Sequence, residues 1–263
     1  MRPPGWQPRL IALDVDGTTI HQHSPPSDRV VAAVRAAAER AVVMICTGRT
    51  VIGVGAVLDE LGLASGTTVC SNGAVVLDTA TRSVKAVRTF DPAKAFAALR
   101  ETFPGAHLGS EHVGVGQRVT EPFPDGILAG VVTVVPEEEL VALPTPKIIA
   151  YWPGRTPAET AQRAVELNVP DAELTVDHEL AWVTLVPAGV SKASALADVA
   201  AKLGIAGEDV LAAGDGDNDR AMLRWAGHGV AMGQAPAEVK ADADEVTATV
   251  VDDGLALVLE RWF

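Results

Sequence analysis

Cysteine is almost absent: Cys46 and Cys70 are the only two in 263 residues, and both lie inside apolar stretches. That count excludes a disulfide framework and a cysteine-rich metal site, and it makes a reducing, cytoplasmic compartment the expected one. Positive charge is also scarce. Lys and Arg number 21 against 34 Asp and Glu, a formal net charge of −13, so no nucleic-acid partner is expected. No apolar run reaches the roughly 18 residues a membrane span needs. The longest candidate, Gly126 to Val135, stops at Pro136 and three glutamates and reads as a buried strand. Met1 to Pro8 lacks a basic segment followed by an apolar stretch, so neither a leader nor a membrane partner is expected. A Gly-x-x-x-x-Gly-Lys-Ser/Thr loop and a strand-linked Gly-x-Gly-x-x-Gly are both missing, which removes the usual cradles for P-loop nucleotide hydrolysis and dinucleotide redox chemistry.

What is present is an ordinary folding composition, 48% hydrophobic and 21% charged, in a length that suits two modest domains. Short β-branched runs alternate with Ala-rich helical patterns at both ends. Arg9–Leu13 and Val42–Cys46 read as strands around a helix at Ser27–Ala41; Ser191–Leu203 and Asn218–Ala226 read as helices around the strands Val210–Ala213 and Gly229–Met232. Strands separated by helices imply a parallel sheet covered on both faces.

The middle has another rhythm. A hairpin at Val75–Leu77 and Val84–Val87 precedes a helix at Pro92–Thr102 and strands near Val113 and Leu128. Beyond a Pro-rich joint at Pro144–Pro146, a strand at Lys147–Tyr151 and a helix at Thr156–Leu167 lead to strands at Glu173–Val176 and Trp182–Val186. The expected fold class is therefore α/β, a Rossmann-like doubly wound parallel sheet formed by residues 1–81 and 188–263, with an inserted α+β module at 82–187.

Leu13-Asp14-Val15-Asp16-Gly17-Thr18 places two carboxylates just after a predicted strand. Ligands of open parallel sheets bind beyond the carboxyl ends of the strands. Two crowded acids there call for a cation or a retained proton, and a hard divalent ion with oxygen ligands is the simplest remedy. Asp-x-Asp-Gly is also good turn chemistry, so the segment alone leaves a solvated turn open. Gly214-Asp215-Gly216-Asp217-Asn218-Asp219 follows a second strand at the same kind of edge and favours the metal. An EF-hand is excluded, because its sixth and twelfth positions hold Arg220 and Ala226 instead of Gly and Glu.

Cys46-Thr47-Gly48-Arg49 offers a hydroxyl and amide donors where a helix would begin. Lys192, opening another helix, offers a positive charge. Taken singly, Thr47 reads equally as a helix cap and Lys192 as a solvated lysine. Their joint placement favours anion binding, which an acidic protein needs in order to admit an anionic substrate.

These four segments, in this order, resemble the motifs of the haloacid dehalogenase superfamily of phosphotransferases. Ser71-Asn72-Gly73-Ala74, Gly189-Val190-Ser191-Lys192 and Asn218-Asp219-Arg220-Ala221-Met222-Leu223 are similar to the Cof-type subfamily (HAD-IIB), whose cap is inserted between the second and third motifs. The resemblance implies a phosphatase for a small phosphorylated metabolite, such as a sugar phosphate. Asp14 would be the nucleophile and Asp16 the acid and base. Mg2+ would be held by the Asp14 side chain, the Asp16 carbonyl and Asp215. Thr47, Gly48, Arg49, Lys192 and Asn218 would bind substrate, with Thr47 and Lys192 catalytic as well, and Asp219 would orient Lys192 or a metal-bound water.

Two positions depart from the family pattern: Thr19, where an apolar residue is usual, and Asp217, an additional acid read as a solvated loop residue. Glu111, His112, His178, Trp152 and Trp182 of the inserted module are candidates for lining a substrate pocket, but a lone His or Trp there reads more readily as packing or surface. A sugar phosphomutase and a non-catalytic phosphate-binding protein are the alternatives; the intact acids and Lys192 argue against the second. A monomer or homodimer is the expected assembly.

Overall fold

The computed structural model describes residues 5–21 and 24–263; Met1–Pro4, half of the stretch read above as carrying no leader, lie outside the described residues. The chain opens with β1 (Leu10–Leu13), α1 (Asp28–Ala38), β2 (Val42–Ile45), α2 (Val51–Leu61) and β3 (Thr67–Cys70). A hairpin of β4 (Val75–Asp78) and β5 (Val84–Val87) precedes α3 (Ala93–Thr102), β6 (His107–His112), β7 (Gly116–Val119) and β8 (Val131–Val134). Then come α4 (Glu137–Leu140), β9 (Ile148–Tyr151), α5 (Pro157–Ala164), β10 (Ala172–Val176) and β11 (Trp182–Pro187). The last stretch contains α6 (Lys192–Lys202), β12 (Val210–Gly214), α7 (Arg220–Trp225), β13 (His228–Ala231), α8 (Ala237–Ala241), β14 (Glu245–Val246) and α9 (Gly254–Leu259).

Five strands form one sheet in the order β14-β13-β12-β1-β2, and every pairing in it is parallel. All four residues of β1 are buried, as a central strand covered on both faces requires. The pleat divides them. Ile11 and Leu13 pack with the buried faces of α1, α2 and α9, while Leu10 and Ala12 pack with α6 and α7. In α1 the buried Val30, Ala33, Val34 and Ala37 recur at helical spacing, and Ser27 caps the helix by accepting from the Val30 amide. A parallel bridge between Cys46 and Val69 leads from β2 to a three-stranded sheet, β3-β4-β5, in which β4 pairs with β3 on one side and β5 on the other.

Between β5 and α6 lies a six-stranded sheet, β10-β11-β9-β6-β7-β8, antiparallel except where β7 runs parallel with β8. Helices α3 and α5 cover one face through Phe96, Leu99, Ala164, Leu108, Ile148 and Val183. The other face is turned toward the loops of the parallel sheet, where its Glu111 and Lys147 bond Ser71 and Gly48. The molecule is thus α/β, a doubly wound core with an inserted α+β cap, as expected.

Several elements differ from their expected form. Gly126–Val135 is not a buried strand: only Val131–Val134 is extended, all four residues are exposed, and the strand is a sheet edge. Gly126 and Gly130 take positive φ, which breaks the run before the strand. Val113 falls in the turn between β6 and β7, and Leu128 precedes β8. The helix expected at Asn218–Ala226 begins as a 3-10 turn at Asp217–Asp219 before α7. No helix among the described residues is long and apolar enough to cross a membrane.

Candidate active site

Asp14 follows β1, Thr47 follows β2, Asp215 follows β12 and Lys192 opens α6, so parallel pairing brings four distant segments to one edge. Lys192 is fully buried. Its Nζ donates to Asp14 Oδ1 at 2.5 Å and to Asp219 Oδ1 at 2.7 Å. Burial disfavours its charge, but Asp14 and Asp219 outweigh burial and hold the ammonium protonated. The solvated-lysine reading therefore fails. Asp219 also accepts the Asp215 and Gly216 amides on Oδ2, at 3.0 and 2.9 Å. Both its oxygens are engaged, so it braces Lys192 and the Asp215 loop.

One carboxylate oxygen from each of Asp14, Asp215 and Asp219 lies within 4.8 Å of the other two. Burial, then the charge of Asp219, raises the Asp14 carboxyl well above its ordinary value, with Lys192 opposing. Burial and Asp219 likewise push Asp215 up to about 7, against Lys192, a Thr18 hydrogen bond and His178. Lys192 alone does not neutralise this buried cluster. Deprotonated Asp14 and Asp215 offer hard oxygen donors beside one another, a set that fits a divalent cation such as Mg2+. Thr18 Oγ1 donates to Asp215 Oδ1 at 3.1 Å, and Gln234 Nε2 donates to Gly17 O and Asp215 Oδ2, at 2.5 and 3.3 Å. Gly17 has φ +79°, and a Cβ there would lie 2.0 Å from Asp215 Oδ2. Glycine is what lets the two acidic loops meet.

Asp16 lies at the open side of this cluster, where Arg49 grips both its oxygens, Nε at 2.9 Å and Nη2 at 2.6 Å. The fork leaves Asp16 half-exposed and bidentately paired. Thr47 is fully buried and is not the helix cap; Thr50 caps α2 by accepting from the Gly53 amide. Thr47 Oγ1 instead accepts from the Arg49 amide at 3.0 Å, which leaves its own hydroxyl proton for another acceptor. Asn218 Nδ2 donates to Asn72 Oδ1 at 2.9 Å, close over Gly48. Each residue proposed from the sequence thus belongs to this edge.

Thr19 is buried and donates to the Asp14 carbonyl at 2.5 Å, so its polarity has a local use. Asp217 is exposed and pairs with Arg220 at 3.1 Å. Sequence reasoning missed Gln234, which follows Asp215 after a helix and a strand and carries no motif. Glu111 and His178, expected as packing or surface residues, are buried and exposed respectively. Glu111 is buried against Ser71, and exposed His178 is near enough to Asp215 to act on its charge. Trp152 and Trp182 do pack, on Phe103 and Phe123. Burial pushes the Cys46 and Cys70 thiols up, so neither is a nucleophile near neutral pH.

A buried aspartate clamped by one lysine at a parallel-sheet edge, beside a second acidic loop and under an inserted cap, is the kind of site that suits phosphoryl transfer. Residues 11–104 and 145–259 match the model of the haloacid dehalogenase-like hydrolases, and the chain belongs to that family, on its Cof-type phosphatase branch. It is 30% identical over 273 aligned positions to the 5-amino-6-(5-phospho-D-ribitylamino)uracil phosphatase YcsE of Bacillus subtilis (strain 168), covering 97% of this chain and 95% of that protein. Among solved structures it is similar to BT1666 from Bacteroides thetaiotaomicron, a phosphatase of the superfamily, with TM-score 0.81, 27% identity and coverage of 100% and 98%. The HAD subclass IIB sugar phosphatase BT4131 superposes with TM-score 0.80 at 25% identity, over 96% of this chain and 98% of that one.

Proposed function

We propose that the protein is a Mg2+-dependent phosphatase that hydrolyses a small soluble phosphate monoester through an aspartyl-phosphate on Asp14. The observation that carries this reading is the buried Lys192 held between Asp14 and Asp219. It fixes one Asp14 oxygen and supplies a permanent positive charge where phosphoryl oxygens would gather.

Asp14 attacks phosphorus and the P–O bond to the alcohol breaks; water then attacks the same phosphorus and returns Asp14. The Thr47 hydroxyl and Lys192 donate to the phosphoryl oxygens, with the Gly48 and Arg49 segment and Asn218 lining the same place. Asp16 delivers a proton to the leaving alcohol and takes one from the water. Arg49 holds both Asp16 oxygens, so delivering a proton to the leaving alcohol requires Arg49 to turn from Asp16 toward the arriving phosphate. Mg2+, held by the Asp14 carboxylate, the Asp16 carbonyl and Asp215, would neutralise phosphoryl charge. Asp219 keeps Lys192 and the Asp215 loop in position.

The insertion at 82–187 would act as a cap that covers the ester and selects it. From it, Thr175 accepts from Asn72 Nδ2 at 3.4 Å, and His178 is near enough to Asp215 to act on its charge. The two unpaired, buried cysteines suit a cytoplasmic protein. The test is a screen of phosphorylated metabolites with and without magnesium, scored by released phosphate. It should include hexose phosphates and, from the likeness to the Bacillus subtilis relative, 5-amino-6-(5-phospho-D-ribitylamino)uracil. Metal-dependent phosphate release is expected, lost in Asp14→Asn; a preparation free of contaminants in which that variant keeps activity would overturn the assignment.

A further inference from the structure

Glu111 of β6 and Lys147, just before β9, are charged residues of the inserted sheet buried against the core. Lys147 Nζ donates to the Gly48 carbonyl at 3.0 Å, and Ser71 Oγ donates to Glu111 Oε2 at 2.5 Å. The two charges are 3.8 Å apart, and Glu111 Oε1 is buried with no hydrogen-bond partner among the described residues. Such a pair is a poor way to join two domains. Desolvation cancels much of the attraction of a buried ion pair, and apolar residues of similar volume hold as well or better.

The groups they grip form one loop system. The Gly48 carbonyl belongs to the same peptide unit as the Arg49 amide, which donates to Thr47 Oγ1 at 3.0 Å. Fixing that carbonyl therefore fixes the amide on its other side, and with it the Thr47 hydroxyl. Ser71 and Asn72 hold the loop from below: their amides donate to the Arg49 and Thr47 carbonyls at 2.9 and 3.1 Å. Both have φ near +50°, a strained conformation for residues with side chains that persists only where the surroundings impose it. Glu111 seizes the first of them.

We propose that Lys147 and Glu111 are positioning residues: seated in the interface, they set the Gly48–Arg49 peptide and Ser71 so that the Thr47 hydroxyl is aimed at phosphate. Cap seating and phosphate binding are thereby coupled. This inference rests on the reading of Thr47 as a phosphate ligand.

The test is a double-mutant cycle with inorganic phosphate as the probe, its affinity for the full-length protein in magnesium measured by titration calorimetry. The variants are Lys147→Met, the charge-free pair Glu111→Leu with Lys147→Met, Thr47→Val, and each of the first two combined with Thr47→Val. The charge-free pair guards against misfolding around a lone buried carboxylate. Phosphate affinity should fall about tenfold in the pair, the scale on which loss of an orienting partner acts, with the melting temperature retained. With Thr47 already Val, the same pair should change affinity by less than about twofold, since coupled residues are not additive. Equal losses in both backgrounds, or no loss in either, would overturn the positioning role alone. Unchanged affinity in Thr47→Val, or no phosphate binding by the parent protein, would defeat the phosphate-site reading and this inference with it.

Discussion

Lys192 and Asp219 face each other with no exposure to solvent, their Nζ and Oδ1 atoms 2.7 Å apart. Removing the cation would leave Asp14 and Asp219 as uncompensated buried acids. In metal-free protein Lys192→Met should lose about 3 to 5 kcal/mol of stability, read by urea unfolding at neutral pH. Its kcat should fall at least about 100-fold, the scale of losing one preorganised charge donor. A fall in kcat without the stability loss would mean that the lysine is not the partner of both acids.

Gly17→Ala would place a methyl group on Asp215 Oδ2 and force a side chain into positive φ. Magnesium affinity should weaken about 10- to 100-fold, as when an orienting contact of a metal site is lost. A magnesium titration of activity, or calorimetry on the resting protein, checks it.

Asp215 gives a pH signature. Burial, and then Asp219, hold its carboxyl at about 7, above its ordinary value of 3.8. The folded state therefore binds more protons than the unfolded state between those values. Stability from this group is complete below pH about 4 and is lost as pH rises through about 7. Metal-free Asp215→Asn should match the parent near pH 4 and exceed it at pH 8. Magnesium should close the gap at pH 8 by stabilising the parent alone. Thermal unfolding in chelator and in magnesium measures both effects.

Thr19→Val should cost about 1 to 3 kcal/mol, because the Asp14 carbonyl loses a buried donor. Activity per folded molecule should drop far less than in Lys192→Met, since the Asp14 carboxylate keeps its own partners.

The core was legible because period and position coincide. Alternate burial of Ile11 and Leu13 against Leu10 and Ala12 follows from a strand covered twice, and Ser27 and Ser191 mark their helices by capping. Asp14, Thr47, Lys192 and Asp215 were legible because each lies next to a recognisable strand end or helix start. The inserted sheet was read less well. Val131–Val134 is as apolar as a core strand yet lies exposed at an edge, since hydrophobicity alone does not say which strand finds neighbours. Lys147 and Glu111 were hidden for a related reason: their burial depends on the meeting of two domains, and nothing local marks a lysine before a strand as one that reaches a distant carbonyl. Gln234 acts on Asp215 only because β13 lies beside β12.

The most direct measurement is a rapid acid quench of the magnesium-loaded enzyme during turnover of a hydrolysed ester, followed by peptide mass spectrometry. The account predicts a phosphoryl group on the peptide containing Asp14, at that residue, and none in Asp14→Asn. Phosphate release with no modified Asp14 at any time, together with turnover by Asp14→Asn, would contradict it.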